Sequence, residues 1–158
     1  MIIQSKNVKA LLHATTKPVH IGYLSYDSEP LQSSVLLAAT NGAILSFVTS
    51  KPSTPSETHS LNNLKMMSLL IRDKWNEDEQ QELLRARYDY TITVHEEPTT
   101  THIYTYEIED LHACVAQIPQ SDLLLLFIAD SNFAYGLLVM KIKGALEAFR
   151  DMYGYKLE

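Results

Sequence analysis

The chain has 158 residues, 46% hydrophobic and 20% charged, with 13 basic against 19 acidic side chains and a net charge of −6. That length and composition fit one globular domain whose core needs no staples, and the acidic balance excludes nucleic acid as the main partner, because phosphate binding needs clustered Lys and Arg. The lone cysteine, Cys114, excludes an intrachain disulfide and suits a reducing compartment.

The opening Met1-Ile-Ile-Gln-Ser-Lys carries no apolar h-region. No run of about 18 apolar residues offers a membrane span. Ile2 stands where N-myristoylation needs glycine, and Tyr155-Lys-Leu-Glu is no prenylation box. Membrane attachment, if any, is expected to come from another chain.

Residues 5–16 are expected to form a short helix with Val8, Leu11 and Leu12 on one side, too short to stand without docking. Residues 19–32 read as a connection, with turn residues Ser28 and Pro30. Two apolar runs follow, 34–40 and 43–49, separated by Asn41-Gly42. Asn-Gly between such runs predicts a tight hairpin with both turn residues at positive φ. Residues 51–59 have loop composition, and Ser60 is placed as the N-cap of the next helix.

That helix, residues 60–75, has two apolar faces. At about 100° per residue, Leu61, Leu64, Met67, Ile71 and Trp75 form one stripe. Met66, Leu69 and Leu70 form another, roughly 160° away by the same arithmetic. An ordinary surface helix has one stripe and a polar back. A second stripe implies a second cover, either within the domain or from a partner. We assign the first stripe to the chain's own sheet and the second to a partner, although periodicity alone does not say which is inside. The acidic residues 76–82 read as a solvated extension or a docking site.

Residues 88–94 alternate as a strand, and 96–101 are expected to be a turn. Residues 102–108 form the next strand, with Ile103, Thr105 and Glu107 on one face and Tyr104, Tyr106 and Ile108 on the other. Residues 111–118 are a further strand. Residues 123–129, apolar on both faces, read as a central strand covered on both sides. Asp130, Ser131 and Asn132 offer N-cap residues for a last helix over 133–153, and Gly154 ends it. Gly136, Met140 and Gly144 share a face of that helix at four-residue spacing, which allows another backbone to approach.

No Gly-rich phosphate loop, H-E-x-x-H or C-x-x-C occurs. His112 and Cys114 point the same way on their strand and form the nearest thing to a catalytic couple. A buried, inert cysteine explains Cys114 more simply. The six histidines share no ligand spacing, so no metal or other cofactor is expected. Asp122 and Asp130 bracket the central strand, but a turn residue and a helix cap account for them. Tyr104 and Tyr106 fit a contact surface or core filling equally well.

Four segments carry a resemblance: residues 60–75 (SLNNLKMMSLLIRDKW), 103–129 (IYTYEIEDLHACVAQIPQSDLLLLFIA), 135–143 (YGLLVMKIK) and 154–157 (GYKL). With LQSSVLLAATNGAILS at 31–46, they resemble the subunit-3 family of the fungal EGO complex, a Ragulator-like scaffold within the roadblock domain family. The likeness weakens at 17–30, 51–58 and 76–101. It implies one roadblock-like domain over 1–158, with 76–101 as a variable acidic insert. The fold implied is α+β, roadblock/profilin-like, in the order α-β-β-α-β-β-β-α around a five-stranded antiparallel sheet. The strand at 88–94 is read from the residues and is no part of that pattern.

The resemblance further implies a non-catalytic scaffold on the cytosolic face of the vacuolar (lysosomal) or late-endosomal membrane. Expected partners are a roadblock-type subunit or a second copy, a lipidated anchor subunit, and a Rag-type GTPase heterodimer in amino-acid signalling to the TOR kinase complex. Such domains pair through the central helix and an edge strand, here 60–75 and 102–107. The expected contact residues are Met66, Leu69, Leu70, Asp73, Ile103, Tyr104 and Tyr106. Alternatives are a roadblock-type GTPase-regulating module, a motor or trafficking light chain, or an enzyme built on His112 and Cys114.

Overall fold

The computed structural model describes residues 5–15, 20–21, 24–25, 32–49, 61–81, 87–94 and 96–157. Helix α1 (Ser5–Thr15) is followed by a small ladder of β1 (His20–Ile21) and β2 (Leu24–Ser25), then β3 (Ser33–Ala38) and β4 (Ile44–Thr49). Next come α2 (Leu61–Gln81), β5 (Arg87–Val94), β6 (Glu97–Ile108), β7 (Leu111–Gln117) and β8 (Leu123–Asp130). The chain closes with α3 (Tyr135–Ala148) and a 3-10 turn, Arg150–Met152. The Ser60 cap and the 51–59 loop lie outside the described residues, as does most of 19–32.

The main sheet has six strands in the order β4-β3-β8-β7-β6-β5, every neighbour antiparallel. The sixth is the strand at 88–94, which joins the edge. Alternation sends odd and even positions to opposite faces. Leu36, Ile103, Cys114, Leu123, Leu125 and Phe127 pack with Val8 and Leu12 of α1 and Leu138, Ile142 and Leu146 of α3. Val35, Leu37, Tyr104, Val115, Leu124 and Leu126 pack with Leu64, Ile71 and Trp75 of α2. The result is three layers with β8 in the middle. Each residue from 123 to 129 is buried, because helices cover both faces.

Several local expectations change. The β3–β4 ladder closes where Ala38 N donates to Ala43 O, and Gly42 N donates to Ala38 O. Only Gly42 of the loop has positive φ, +75°. The connection is therefore longer than a two-residue Asn-Gly turn, and the Asn41 side chain instead accepts from Ala43 N. Residues 97–101 are strand rather than turn, since Glu97 already pairs with Val94. Helix α3 starts at Tyr135, with Ala134 as an N-cap that makes no side-chain bond. Asp130 accepts from Asn132 N in a turn ahead of the helix rather than capping it. Gly136 and Gly144 have nothing within 4 Å of an added Cβ, so no described backbone lies against that face.

Candidate partner interface

Helix α2 lies on the sheet through Leu64, Ser68, Ile71 and Trp75. Met67 is half-buried beside them. Leu61, expected in this stripe, is 44% exposed. It begins the helix, and periodicity gives a direction without saying how far the surface beneath extends. Ser68 occupies the buried ridge but escapes a reading that counts apolar residues only.

The outward side of α2 carries Met66, Leu69 and Leu70, which are 62%, 46% and 51% exposed. Their two flanks differ. On one, Arg72 donates from Nε to Ala39 O at 2.9 Å and from a terminal nitrogen to Thr40 O at 2.7 Å. There Leu69 Cδ2 stands 3.0 Å from where a Cβ on Gly42 would be. That flank is clamped to the β3–β4 loop. Glycine fits because it tolerates the positive φ and the close approach. Asp73 is exposed and pairs with its neighbour Arg72 at 3.1 Å.

The other flank meets β6. Tyr106 OH donates to Asp78 Oδ2 at 2.7 Å, and Lys74 Nζ sits 5.7 Å from the Tyr106 ring centroid. Tyr104 OH donates to Glu79 Oε1 at 2.8 Å, and His102 Nδ1 bonds the same oxygen at 2.7 Å. A carboxylate only accepts, so Nδ1 carries the proton. His102 Nε2 lies 3.7 Å from Asp89, which also meets Arg87 at 3.4 Å. The acidic end of α2 is thus tied to β6 by its carboxylates. Asp78 and Glu79 serve the chain itself and do not form a free docking patch. Burial, and then bonding to these carboxylates, pushes the phenols of Tyr104 and Tyr106 well up from the ordinary tyrosine value.

The expected strand contacts separate. Ile103 and Tyr104 are wholly buried, Ile103 on the α1–α3 side and Tyr104 beneath α2. Their side chains offer no surface to a partner, which corrects their placement in the contact set. Tyr106 is half-buried. Nor is 102–107 a free edge throughout. Strand β5 pairs with β6 from Glu97 to Tyr104, while β7 pairs with it from Ile103 to Ile108. The two overlap only at Ile103 and Tyr104. Among the described residues, β6 is unpaired on its outer side only over 105–108. No periodicity signal shows this, because pairing is a property of two segments.

The catalytic alternative fares differently from the interface. Cys114 is completely buried, and burial pushes its thiol up, away from the thiolate a nucleophile needs. His112 Nδ1 bonds Phe133 O at 2.7 Å, and its ring stacks on Tyr135 at 4.0 Å. Asp122 accepts from Leu157 N at 3.0 Å and holds the C-terminal segment. Among the described residues no three of His, Cys, Asp and Glu come together as a metal site. Among the same residues no helix is long and apolar enough to cross a membrane.

A family model described as Protein SLM4 matches residues 2–157. Protein SLM4 of Saccharomyces cerevisiae is 51% identical over 162 residues, covering 99% of this chain and 99% of its own. Among solved structures, "MglB with tetrameric arrangement" superposes with a TM-score of 0.60 at 14% identity, over 94% of this chain and 88% of its own. The gliding protein MglB from Thermus thermophilus gives 0.60 at 14% identity, over 94% and 89%. A Roadblock/LC7 domain from Streptomyces avermitilis gives 0.53 at 12% identity, over 90% and 93%. At such identities the likeness is one of fold, which is roadblock/LC7-like here with a six-stranded sheet. With nearly the whole chain matched by the family model and by a relative at 51% identity, the chain belongs to the Protein SLM4 family.

Proposed function

We propose that this chain is a non-catalytic scaffold subunit that pairs with a roadblock-type chain or a second copy of itself. The pair supports a Rag-type GTPase heterodimer in amino-acid signalling to the TOR kinase complex. The observation that carries the reading is the exposed apolar side of α2, formed by Met66, Leu69 and Leu70. Contiguous exposed apolar surface marks an interaction site. The supporting physics is the engagement of the polar groups. The histidine, thiol and carboxylates that looked reactive in sequence serve internal bonds or lie buried.

The site of action in this reading is the cytosolic face of the vacuolar or late-endosomal membrane. A lipidated subunit of the same complex supplies the anchor. Purification from native cells under mild conditions, with identification of the co-purifying chains, tests it. The expected companions are a GTPase pair and a small acylated protein, and loss of the acylated protein should release this chain from the membrane fraction. Recovery with motor or vesicle-coat chains in their place would overturn the assignment in favour of a light-chain role.

A further inference from the structure

The Asn41-Gly42 pair does not form the tight turn its sequence suggests. Asn41 is exposed, whereas Gly42 is buried. Among the asparagines of the chain, only Asn41 precedes a glycine. That order is chemically labile, because glycine has no side chain to shield its N–H from the preceding side-chain amide. We propose that Asn41 is a deamidation site, held latent by the bonds of its own loop and by the Arg72 clamp, and that its conversion to isoaspartate undoes the clamp.

The reaction needs water and no other co-reactant. Gly42 N gives up its proton and attacks Asn41 Cγ. A C–N bond forms, ammonia leaves, and a succinimide ring closes. Water then opens the ring. Addition at Cγ gives aspartate. Addition at the main-chain carbonyl carbon of Asn41 gives isoaspartate, whose main chain runs through Cγ and is one atom longer. In the folded chain both reacting groups are occupied. Gly42 N donates to Ala38 O at 2.8 Å. Asn41 Oδ1 accepts from Ala43 N at 2.9 Å, the bond of an asparagine to its own backbone two residues on. Attack has to take the Gly42 proton out of the first bond and swing Cγ over Gly42 N against the second.

Helix α2 reinforces this hold. Arg72 donates to Ala39 O at 2.9 Å and to Thr40 O at 2.7 Å, fixing the two residues before Asn41. Leu69 Cδ2, 3.0 Å from the place of a Cβ on Gly42, leaves little room on the other side. The loop therefore reacts from an opened state, and the rate reports how often α2 and the loop part. The two products then differ. Aspartate leaves the main chain its length, and its carboxylate still accepts from Ala43 N. Isoaspartate inserts an atom between Ala38 and the two residues it bonds, Gly42 and Ala43. The loop closure no longer fits, and the Ala39 and Thr40 carbonyls shift from under Arg72. Leu69 lies over Gly42, so the change reaches the outward side of α2.

Peptide mapping of the full chain after incubation at neutral pH reads the acid formed at Asn41 through its mass, and a protein isoaspartyl methyltransferase reads the isoaspartate. The native chain should convert about tenfold or more slowly than the same chain in denaturant, the net strength of two ordinary hydrogen bonds. Arg72→Ala, with its fold checked by circular dichroism, should convert faster than the native chain. Should it fail to fold, Arg72→Lys takes its place, since it keeps the charge without the two-point grip. No acid at Asn41 even in denaturant would overturn the site. Equal rates in the native and denatured chains would overturn the latency, and an Arg72 variant as slow as the native chain would overturn the part played by the clamp. The aged chain, enriched in isoaspartate, should unfold at a lower denaturant concentration than the Asn41→Asp chain. Equal midpoints would show that isoaspartate leaves the clamp intact and overturn that step.

Discussion

Leu70 and Ile71 are neighbours in sequence, yet α2 presents them to opposite environments, 51% and 1% exposed. Substituting each separates pairing from folding. A partner covering the remaining half of Leu70 gains roughly 1 kcal/mol, half the value of fully burying a leucine. Leu70→Asp forfeits that gain and leaves a carboxylate facing apolar surface, a penalty on the order of 3 kcal/mol. Affinity should fall about a thousandfold, since each 1.4 kcal/mol is about tenfold. The fold of the single chain should change by no more than about 0.5 kcal/mol, as for surface substitutions generally. Ile71→Ala removes a core side chain between α2 and the sheet and should cost about 2–5 kcal/mol of stability. Sedimentation equilibrium measures pairing, and chemical denaturation of the monomer measures folding. The reasoning fails if Leu70→Asp pairs with undiminished affinity. It fails equally if Leu70→Asp destabilises the chain as much as Ile71→Ala does.

Other outcomes follow from the same geometry. Gly42→Ala forces a Cβ into a +75° backbone beside Leu69 and should cost about 1–2 kcal/mol in chemical denaturation; unchanged stability would remove the strain argument. Burial and the bond to Glu147 push the Tyr90 phenol up to about 12, and those of Tyr104 and Tyr106 are also raised. A phenol that holds its proton more tightly in the folded chain contributes stability that is intact below the unfolded value of about 10 and lost as pH rises toward the folded value. The unfolding midpoint should therefore decline above about pH 10, and Tyr106→Phe should make the decline shallower; an identical decline in that variant would show that the phenols are not its source. The Cys114 thiol should resist a disulfide reagent at neutral pH in the native chain and react on unfolding, while rapid native labelling would mean that the core opens there.

Much of the fold was legible because it rests on local periodicity. The two faces of 102–108, the unbroken apolar run of 123–129 and the two-sided pattern of 60–75 each report a burial environment directly. The strand at 88–94 was visible in the same way, although the roadblock pattern has no place for it. Boundaries that depended on caps were less legible. Asp130, Ser131 and Asn132 have suitable side chains for an N-cap, yet the chain spends them in a turn before Tyr135.

What the residues alone determined is a two-faced helix on an antiparallel sheet with no convergent catalytic groups. Spacing along one segment carries that information. The tertiary structure decided which side of α2 is inside, because only docking on the sheet separates Leu64, Ile71 and Trp75 from Met66, Leu69 and Leu70. It also decided which strands lie alongside β6. Backbone pairing joins segments distant in sequence, and among the described residues β5 pairs with β6 from Glu97 to Tyr104. The same assembly took Ile103 and Tyr104 out of reach of a partner and left Tyr106 half-exposed at the rim. Side-chain type cannot foretell that difference, since it follows from which strand lies alongside.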